Sequence, residues 1–172
     1  MCYYKYVDVR GTIYFLASFF ACFFCYHNIA KAETAIGTAL VEIKTQLVIS
    51  EVTPMNFGTI LVDENADTIT LGLSNDITIS GTSSTVGSTA QTGSFSVTGT
   101  ADSSVSISFA NGNLTGTGNA MNITNFIHDA GSSPQFDNSG NLTFAIGADL
   151  QINNNQQGGS YTGTYQVTVN YQ

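Results

Sequence analysis

Apolar and polar residues alternate along much of the chain. The longest run, NLTFAIGADLQI, places an apolar side chain at every second position from Leu142 to Ile152. Shorter runs of the same kind are ITLGL, DITIS, GSFSVTG and SVSISF. A period of two is typical of antiparallel strands that have one face on a core and the other in solvent.

Clusters rich in glycine, asparagine and serine separate these runs. They include LSND, GTSSTVGSTAQTG, ANGNLTGTGN and DAGSSPQFDNSGN, and such residues accommodate the backbone angles of turns. The spacing predicts about eight strands and an all-β fold, an Ig-like or pilin-like antiparallel β-sandwich. No window after the N-terminal segment has the 3.6-residue period of a helix.

The C-terminal segment GTYQVTVNYQ alternates up to the penultimate residue. Its inward-facing side chains are predicted to be Tyr165, Val167, Val169 and Tyr171. Chain ends are usually frayed and polar, so a half-buried strand here predicts a structural role. Truncation before Tyr165 is therefore expected to abolish folding.

Residues 33–43 have a pattern of their own, in which one face starts small and ends large. That face carries Ala35, Gly37, Ala39, Val41 and Ile43. After Lys44 the apolar phase shifts to Leu47 and Ile49, as at a bulge or at a break between two strands. We expect either a separate N-terminal arm, with Ala39, Val41 and Ile43 available to another chain, or the ordinary first strand of the sandwich.

The segment PMNFGTILV is predicted to turn sharply beside a buried aromatic residue. Phe57 is expected to face the core, and Gly58 is expected to mark a tight turn or bulge next to it.

Three stretches resemble the bacterial family called domain of unknown function 4402. They are NFGTI, GSFSVTGT and the closing GSYTGTYQVTVNYQ. The resemblance covers essentially all of residues 33–172 and implies an exported all-β protein, without implying an activity. The family is similar, more distantly, to fimbrial subunits, which end in an alternating strand with a penultimate aromatic residue, as Tyr171 is here.

The N-terminus has the three parts of a secretory signal peptide. Lys5 and Arg10 precede an apolar run from Ile13 to Tyr26, and AKA at residues 30–32 supplies small residues for cleavage. The run is shorter than the roughly 20 residues that a membrane-spanning helix needs. We therefore predict a signal peptide over residues 1–32 and a single exported domain over residues 33–172. An uncleaved anchor and a lipoprotein that uses Cys22 or Cys25 are the alternatives.

Cleavage after Ala32 would change the composition of the chain. All three cysteines lie before that point, so an exported domain would have no disulfide. It would carry eleven acidic residues and one lysine, a formal net charge of −10. This acidity argues against nucleic-acid binding, which needs a basic face, and we expect no membrane insertion after cleavage.

Candidate catalytic and metal-binding residues are few. His128 and Asp129 lie near Ser132 and Ser133, but neighbours in sequence rarely converge on one catalytic centre. The carboxylates of Asp63, Glu64 and Asp67 could supply oxygen ligands to calcium, although their spacing fits no known calcium loop. We predict no enzyme activity, cofactor or metal, and leave calcium open.

Two classes of function fit this sequence. The first is a structural or adhesive surface protein, a pilus-like subunit in which residues 33–43 of one copy complete the sandwich of another. Its partners would be other copies of itself or a periplasmic chaperone. The second is a monomeric module that binds glycan or protein through its polar loops around residues 83–92 and 111–119.

Overall fold

The computed structural model describes residues 32–87 and 89–172, which contain ten strands and no helix. The predicted signal peptide, apart from Ala32, lies outside the described residues. The described residues divide into two units, residues 32–40 and Val41–Gln172. Residues 32–40, taken by themselves, contain no helix or strand. The strands are β1 (Val48–Thr53), β2 (Ile60–Leu61), β3 (Asp67–Leu71), β4 (Ile77–Ser80), β5 (Ser84–Thr85), β6 (Gly93–Thr98), β7 (Val105–Gly116), β8 (Met121–His128), β9 (Asn141–Ile152) and β10 (Tyr161–Tyr171).

The long strand β9 organises the sheet. On one edge it pairs first with β6 and then, from Ala148 onward, with β3. On the other edge it pairs with β8. The eight-stranded sheet has the order β1-β6-β9-β8-β7-β10, with the β3–β4 hairpin joined through β9. All pairings are antiparallel, and a separate two-stranded sheet joins β2 to β5.

The sheet folds back on itself, so that β10 packs across the core from β6 and β9. The predicted inward face of β10 lies against a cluster that contains Phe95, Val97, Phe144 and Ile146. The rings of Phe95 and Phe144 stack, with centroids 5.9 Å apart. The predicted all-β sandwich is therefore confirmed, with eight strands of four residues or more in its main sheet.

A second core cluster occupies the other half of the sandwich, and β9 supplies residues to both halves. Ala148, Leu150 and Ile152 join Ile69 and Leu71 in this second cluster. Phe144 and Ile146 belong to the first. The strict alternation that identified β9 in the sequence thus corresponds to an unbroken inward face, since β9 is a central strand.

Two segments differ from the predicted pattern. The stretch ANGNLTGTGN was expected as a turn, but β7 continues through it to Gly116 because β10 pairs with it along most of its length. The stretch DAGSSPQFDNSGN is a connection as expected, yet it contains Phe136, which is buried against Tyr171.

The first strand begins later in the chain than the alternation of residues 33–43 suggested. β1 begins at Val48 and pairs with β6. Residues 41–47 contain no strand, although Leu47 packs against the first core cluster.

Candidate functional site

The edges of the two terminal strands of the sheet define the candidate site. Within the described part of the chain, β10 pairs with β7 alone, and β1 pairs with β6 alone. Each therefore has one edge without a strand partner. Unpaired edges are places where another chain can add a strand.

Tyr171 connects the far end of β10 to the start of the body. Its hydroxyl donates to the carbonyl of Thr45 at 2.8 Å and accepts from the amide of Thr100 at 2.7 Å. The Lys44 ammonium lies 5.0 Å from the centre of the Tyr171 ring. These contacts hold the segment before β1 next to the end of β10.

Tyr165 makes the second connection between β10 and β1. Its hydroxyl donates to the Glu51 carboxylate at 3.3 Å. The ring packs against Phe126 and Phe95, with centroids 5.2 and 6.3 Å away, and contacts both core clusters. Burial of the ring, with the nearby Glu51 charge, raises the pKa of the Tyr165 hydroxyl well above its ordinary value.

Beyond Tyr165, towards the start of β10, an open groove lies between β10 and the segment that follows β1. Its volume is about 580 Å³. One wall is residues 54–60, which follow β1, and the other is residues 156–163, which lead into and begin β10. Apolar side chains form the floor: Leu114, Met121, Ile123, Leu150 and Ile152.

Each wall is an unbroken run of residues. Of these residues, Ile60 belongs to β2 and residues 161–163 belong to β10, and the others lie in connections between strands. The main chain of the first wall is partly bonded already, since Asn56 pairs with Gln91 and the carbonyl of Thr59 accepts from the amide of Val86. The start of β10, whose edge away from β7 has no strand partner, is therefore the place above the apolar floor where an additional strand could pair.

Phe57 and Gly58 shape the first wall. Phe57 is buried, as predicted. Gly58 has a φ of +77°, in the left-handed region where a Cβ atom is unfavourable, and its amide donates to the Asn56 side chain at 2.8 Å. The backbone of Asn56 exchanges two hydrogen bonds with Gln91, of 2.7 and 2.9 Å. The predicted tight turn at Gly58 is therefore present, and it anchors this wall to the body.

Gln156 and Tyr161 fix the second wall. The buried Gln156 side-chain amide donates to the carbonyl of Asn119 and to the Tyr161 hydroxyl, both at 2.8 Å. The Tyr161 hydroxyl in turn donates to the carbonyl of Gln157 at 2.6 Å. Sequence reasoning missed Gln156, because a glutamine in a polar turn gives no sign that tertiary contacts will bury it.

The structure separates the predicted site residues into three places. Phe57, Gly58 and Tyr165 line the groove. Val167, Val169 and Tyr171 lie farther along β10, half-buried against the first core cluster. Ala39, Val41 and Ile43 precede β1, and the side chains of Val41 and Ile43 are 83% and 84% exposed.

His128 and its neighbours do not form a catalytic arrangement. The His128 ring packs between Phe109 and Phe144, at centroid distances of 5.8 and 6.1 Å. The Asp129 carboxylate instead accepts from the amide of Ala145 at 2.8 Å. Ser132 and Ser133 are exposed in the following connection.

The acidic turn serves to hold the chain together locally. Asp67 is buried and accepts from the amides of Thr82 and Ser83, at 3.2 and 2.7 Å. Asp63 accepts from the Thr82 hydroxyl and from the amide of Asn65, and these bonds lower the pKa of its carboxyl group. Residues 32–87 and 89–172 contain no group of three or more acidic, histidine or cysteine side chains arranged to hold a metal ion.

Comparison with known sequences gives the family. Residues 47–171 match the family described as a domain of unknown function (DUF4402). The chain belongs to this family. No curated protein and no solved structure gives a significant match.

The DUF4402 region contains the whole groove, with both walls and the floor. Ala39, Val41 and Ile43 precede the matched region. None of the described residues of this DUF4402 chain belongs to a helix that is long and apolar enough to cross a membrane.

Proposed function

We propose that this protein is an exported structural or adhesive subunit of a bacterial surface polymer, assembled by insertion of an extended strand into the groove beside β10. The observation that carries this proposal is the groove itself, in which the unpaired edge of β10 lies above an apolar floor.

The edge of β10 supplies the affinity expected of strand addition. A strand laid between residues 54–60 and the start of β10 would pair with the free edge of β10. Hydrogen bonds along the backbone give affinity, and side chains that point down into an apolar floor give specificity. The floor residues Met121, Ile123, Leu150 and Ile152 belong to the second core cluster, so an inserted strand would extend the existing core.

The charge distribution supports the same function. All of the described residues that line the groove are uncharged, although residues 33–172 carry a formal net charge of −10. A strongly acidic surface keeps copies of a protein apart except where a specific interface forms. An uncharged groove is therefore the place on this protein where another copy, or a periplasmic chaperone during export, would meet least repulsion.

Export is supported by the N-terminal pattern and by the composition. A basic start, an apolar run and small residues at positions 30 and 32 are features of a signal peptide. Without that segment the chain has no cysteine, so neither folding nor assembly would depend on disulfide formation.

The proposal is tested by filling the groove with a larger side chain and measuring the formation of oligomers. Residues 33–172 would be purified, concentrated, and run on SDS gels with and without boiling. We expect a ladder of SDS-resistant oligomers in the unboiled sample. Leu114→Trp, which places an indole at the floor, should remove the ladder, and Leu61→Trp, at a side chain that is 62% exposed and outside the groove, should keep it.

The folded state of both variants would be checked by near-ultraviolet circular dichroism. A wild-type chain that stays monomeric at every concentration would overturn the proposed function. A ladder that persists in a folded Leu114→Trp variant would show that assembly does not use the groove.

A further inference from the structure

We propose that the occupant of the groove is residues 33–43 of a second copy of this chain, inserted with Val41 and Ile43 towards the apolar floor, and that the copies are consequently joined head to tail. This inference depends on the proposed function, because it names the partner of the same groove.

The exposed apolar side chains before β1 need a partner. Val41 and Ile43 are 83% and 84% exposed, and they lie on the same side of an extended chain as Ala39, since side chains alternate. Residues 34–41, TAIGTALV, contain no charge, and Glu42, between Val41 and Ile43, would face away from the floor in an extended chain. Such a strand can enter the uncharged groove without turning a charge towards its floor.

The alternating residues of this segment form no strand within their own chain. Residues 41–47 take no part in a strand, and residues 32–40, considered alone, form no strand either. A sequence with strand periodicity is suited to pairing with an edge, and this segment has exposed apolar side chains on both faces, since Ile36 and Leu40 are exposed as well. The unpaired edge of β10 at the groove is of the kind that such a segment can join.

Distance disfavours insertion of these anchors into the groove of the same molecule. Thr45 is held at the Tyr171 end of β10, where its carbonyl accepts from the Tyr171 hydroxyl at 2.8 Å. An extended chain advances at most about 3.6 Å per residue, so Val41 stays within about 14 Å of Thr45. The groove begins at Tyr165, which is six residues, or about 20 Å of strand, away from Tyr171.

The two halves of the contact therefore lie at opposite ends of the sandwich. The donated segment leaves the body beside Tyr171, and the groove extends from Tyr165 past the start of β10. A contact between two different surfaces of identical copies is heterologous, and it generates an open filament when its rotation does not close a ring. Each copy would donate at one end and accept at the other.

Two complementary variants of residues 33–172 test this arrangement. The first keeps the arm and fills the groove with Leu114→Trp, so that it can only donate. The second keeps the groove and carries Val41→Asp with Ile43→Asp, so that it can only accept. Each alone should be monomeric by light scattering after gel filtration. An equimolar mixture should give a 1:1 dimer and nothing longer, whereas the wild type gives longer chains.

A matched control variant carries two aspartates outside both the arm and the groove. Leu61→Asp with Val86→Asp changes two side chains that are 62% and 52% exposed and lie outside the groove, and it should assemble as the wild type does. If Leu114→Trp does not fold, Gly158→Trp replaces it. Gly158 lines the groove, and a Cβ atom at this position would meet no other atom within 4 Å.

The possible results distinguish a wrong identity of the strand in the groove from a wrong proposed function. Assembly of the Val41→Asp, Ile43→Asp variant on its own, or a mixture that forms no dimer while the wild type polymerises, would overturn the arm as occupant and leave the groove as an acceptor. A wild type that never assembles would overturn both proposals.

Discussion

The Tyr165 hydroxyl and the Glu51 carboxylate are 3.3 Å apart, although 114 residues separate them in the chain. This contact joins β10 to β1 across the opening of the sandwich. On one side of it the Tyr171 hydroxyl donates to the carbonyl of Thr45, just before β1, and on the other side the start of β10 and residues 54–60, which follow β1, border the groove. The contact between Tyr165 and Glu51 therefore lies at the end of the groove that is nearer to Tyr171.

The first prediction concerns the stability of the fold at alkaline pH. Burial of the ring, and then the Glu51 charge, raise the pKa of Tyr165 in the folded state. Below the ordinary tyrosine pKa of about 10 both states keep the proton, and the full contribution of Tyr165 is present. As the pH rises further the unfolded chain loses the Tyr165 proton first, so the contribution of Tyr165 to the free energy of unfolding falls with increasing pH.

Urea unfolding at about pH 8 and about pH 11 would measure this fall. It should be smaller than the limit of about 1.4 kcal/mol per pH unit, because the side chain is only partly buried and solvent screens the interaction. Tyr165→Phe should reduce the fall, and Glu51→Gln should reduce it in part. An unchanged difference in Tyr165→Phe would rule out Tyr165 as its source.

The second prediction concerns the turn in the first wall. Gly58→Ala should lower the free energy of unfolding by about 1 to 2 kcal/mol through its left-handed backbone alone. A further loss is expected because the added Cβ would lie 3.1 Å from the amide nitrogen of Ala90.

Gly131→Ala is the matched control for Gly58→Ala. Gly131 has a φ of +76°, nearly the same as at Gly58, but an added Cβ would meet nothing within 4 Å. Urea denaturation should show the larger loss for Gly58→Ala. Equal losses would mean that close packing against Ala90 contributes nothing.

The third prediction concerns Phe136, an aromatic residue buried in the connection between β8 and β9. Phe136 is 2% exposed and packs against Tyr171 at a centroid distance of 6.1 Å. Phe136→Ala should cost about 3 to 5 kcal/mol of stability, because it leaves a cavity in the first core cluster. Leu61→Ala, at an exposed side chain, should change thermal and urea stability by no more than about 0.5 kcal/mol.

The fourth prediction concerns the end of β10. Removal of residues 165–172 would uncover the cluster around Phe95, Val97 and Phe144, against which Tyr165, Val167, Val169 and Tyr171 pack. We expect no cooperative thermal transition by circular dichroism. Removal of Gln172 alone, whose amide donates to the carbonyl of Ser104, should leave the transition in place. A soluble, cooperatively folded product of the longer truncation would contradict the role of β10 in the core.

The alternation of side chains determined much of the fold in advance. The pattern of β9 predicted an inward face that begins at Leu142, which is half-buried, and continues through five residues that are all buried: Phe144, Ile146, Ala148, Leu150 and Ile152. The same reasoning gave the orientation of β10 and the burial of Phe57. It succeeded because the side-chain period of a strand is a local property of the backbone, which the sequence displays directly.

Alternation does not show which strands pair with each other, and the tertiary structure decided these pairings. The extension of β7 to Gly116, the burial of Phe136 and Gln156, and the groove between residues 54–60 and 156–163 all depend on contacts between distant parts of the chain. Alternation identifies the face that a strand turns to the core, but backbone hydrogen-bonding groups are the same at every residue except proline. The sequence by itself therefore determined the strands and their faces, while only long-range pairing decided which of their edges were left without a neighbour.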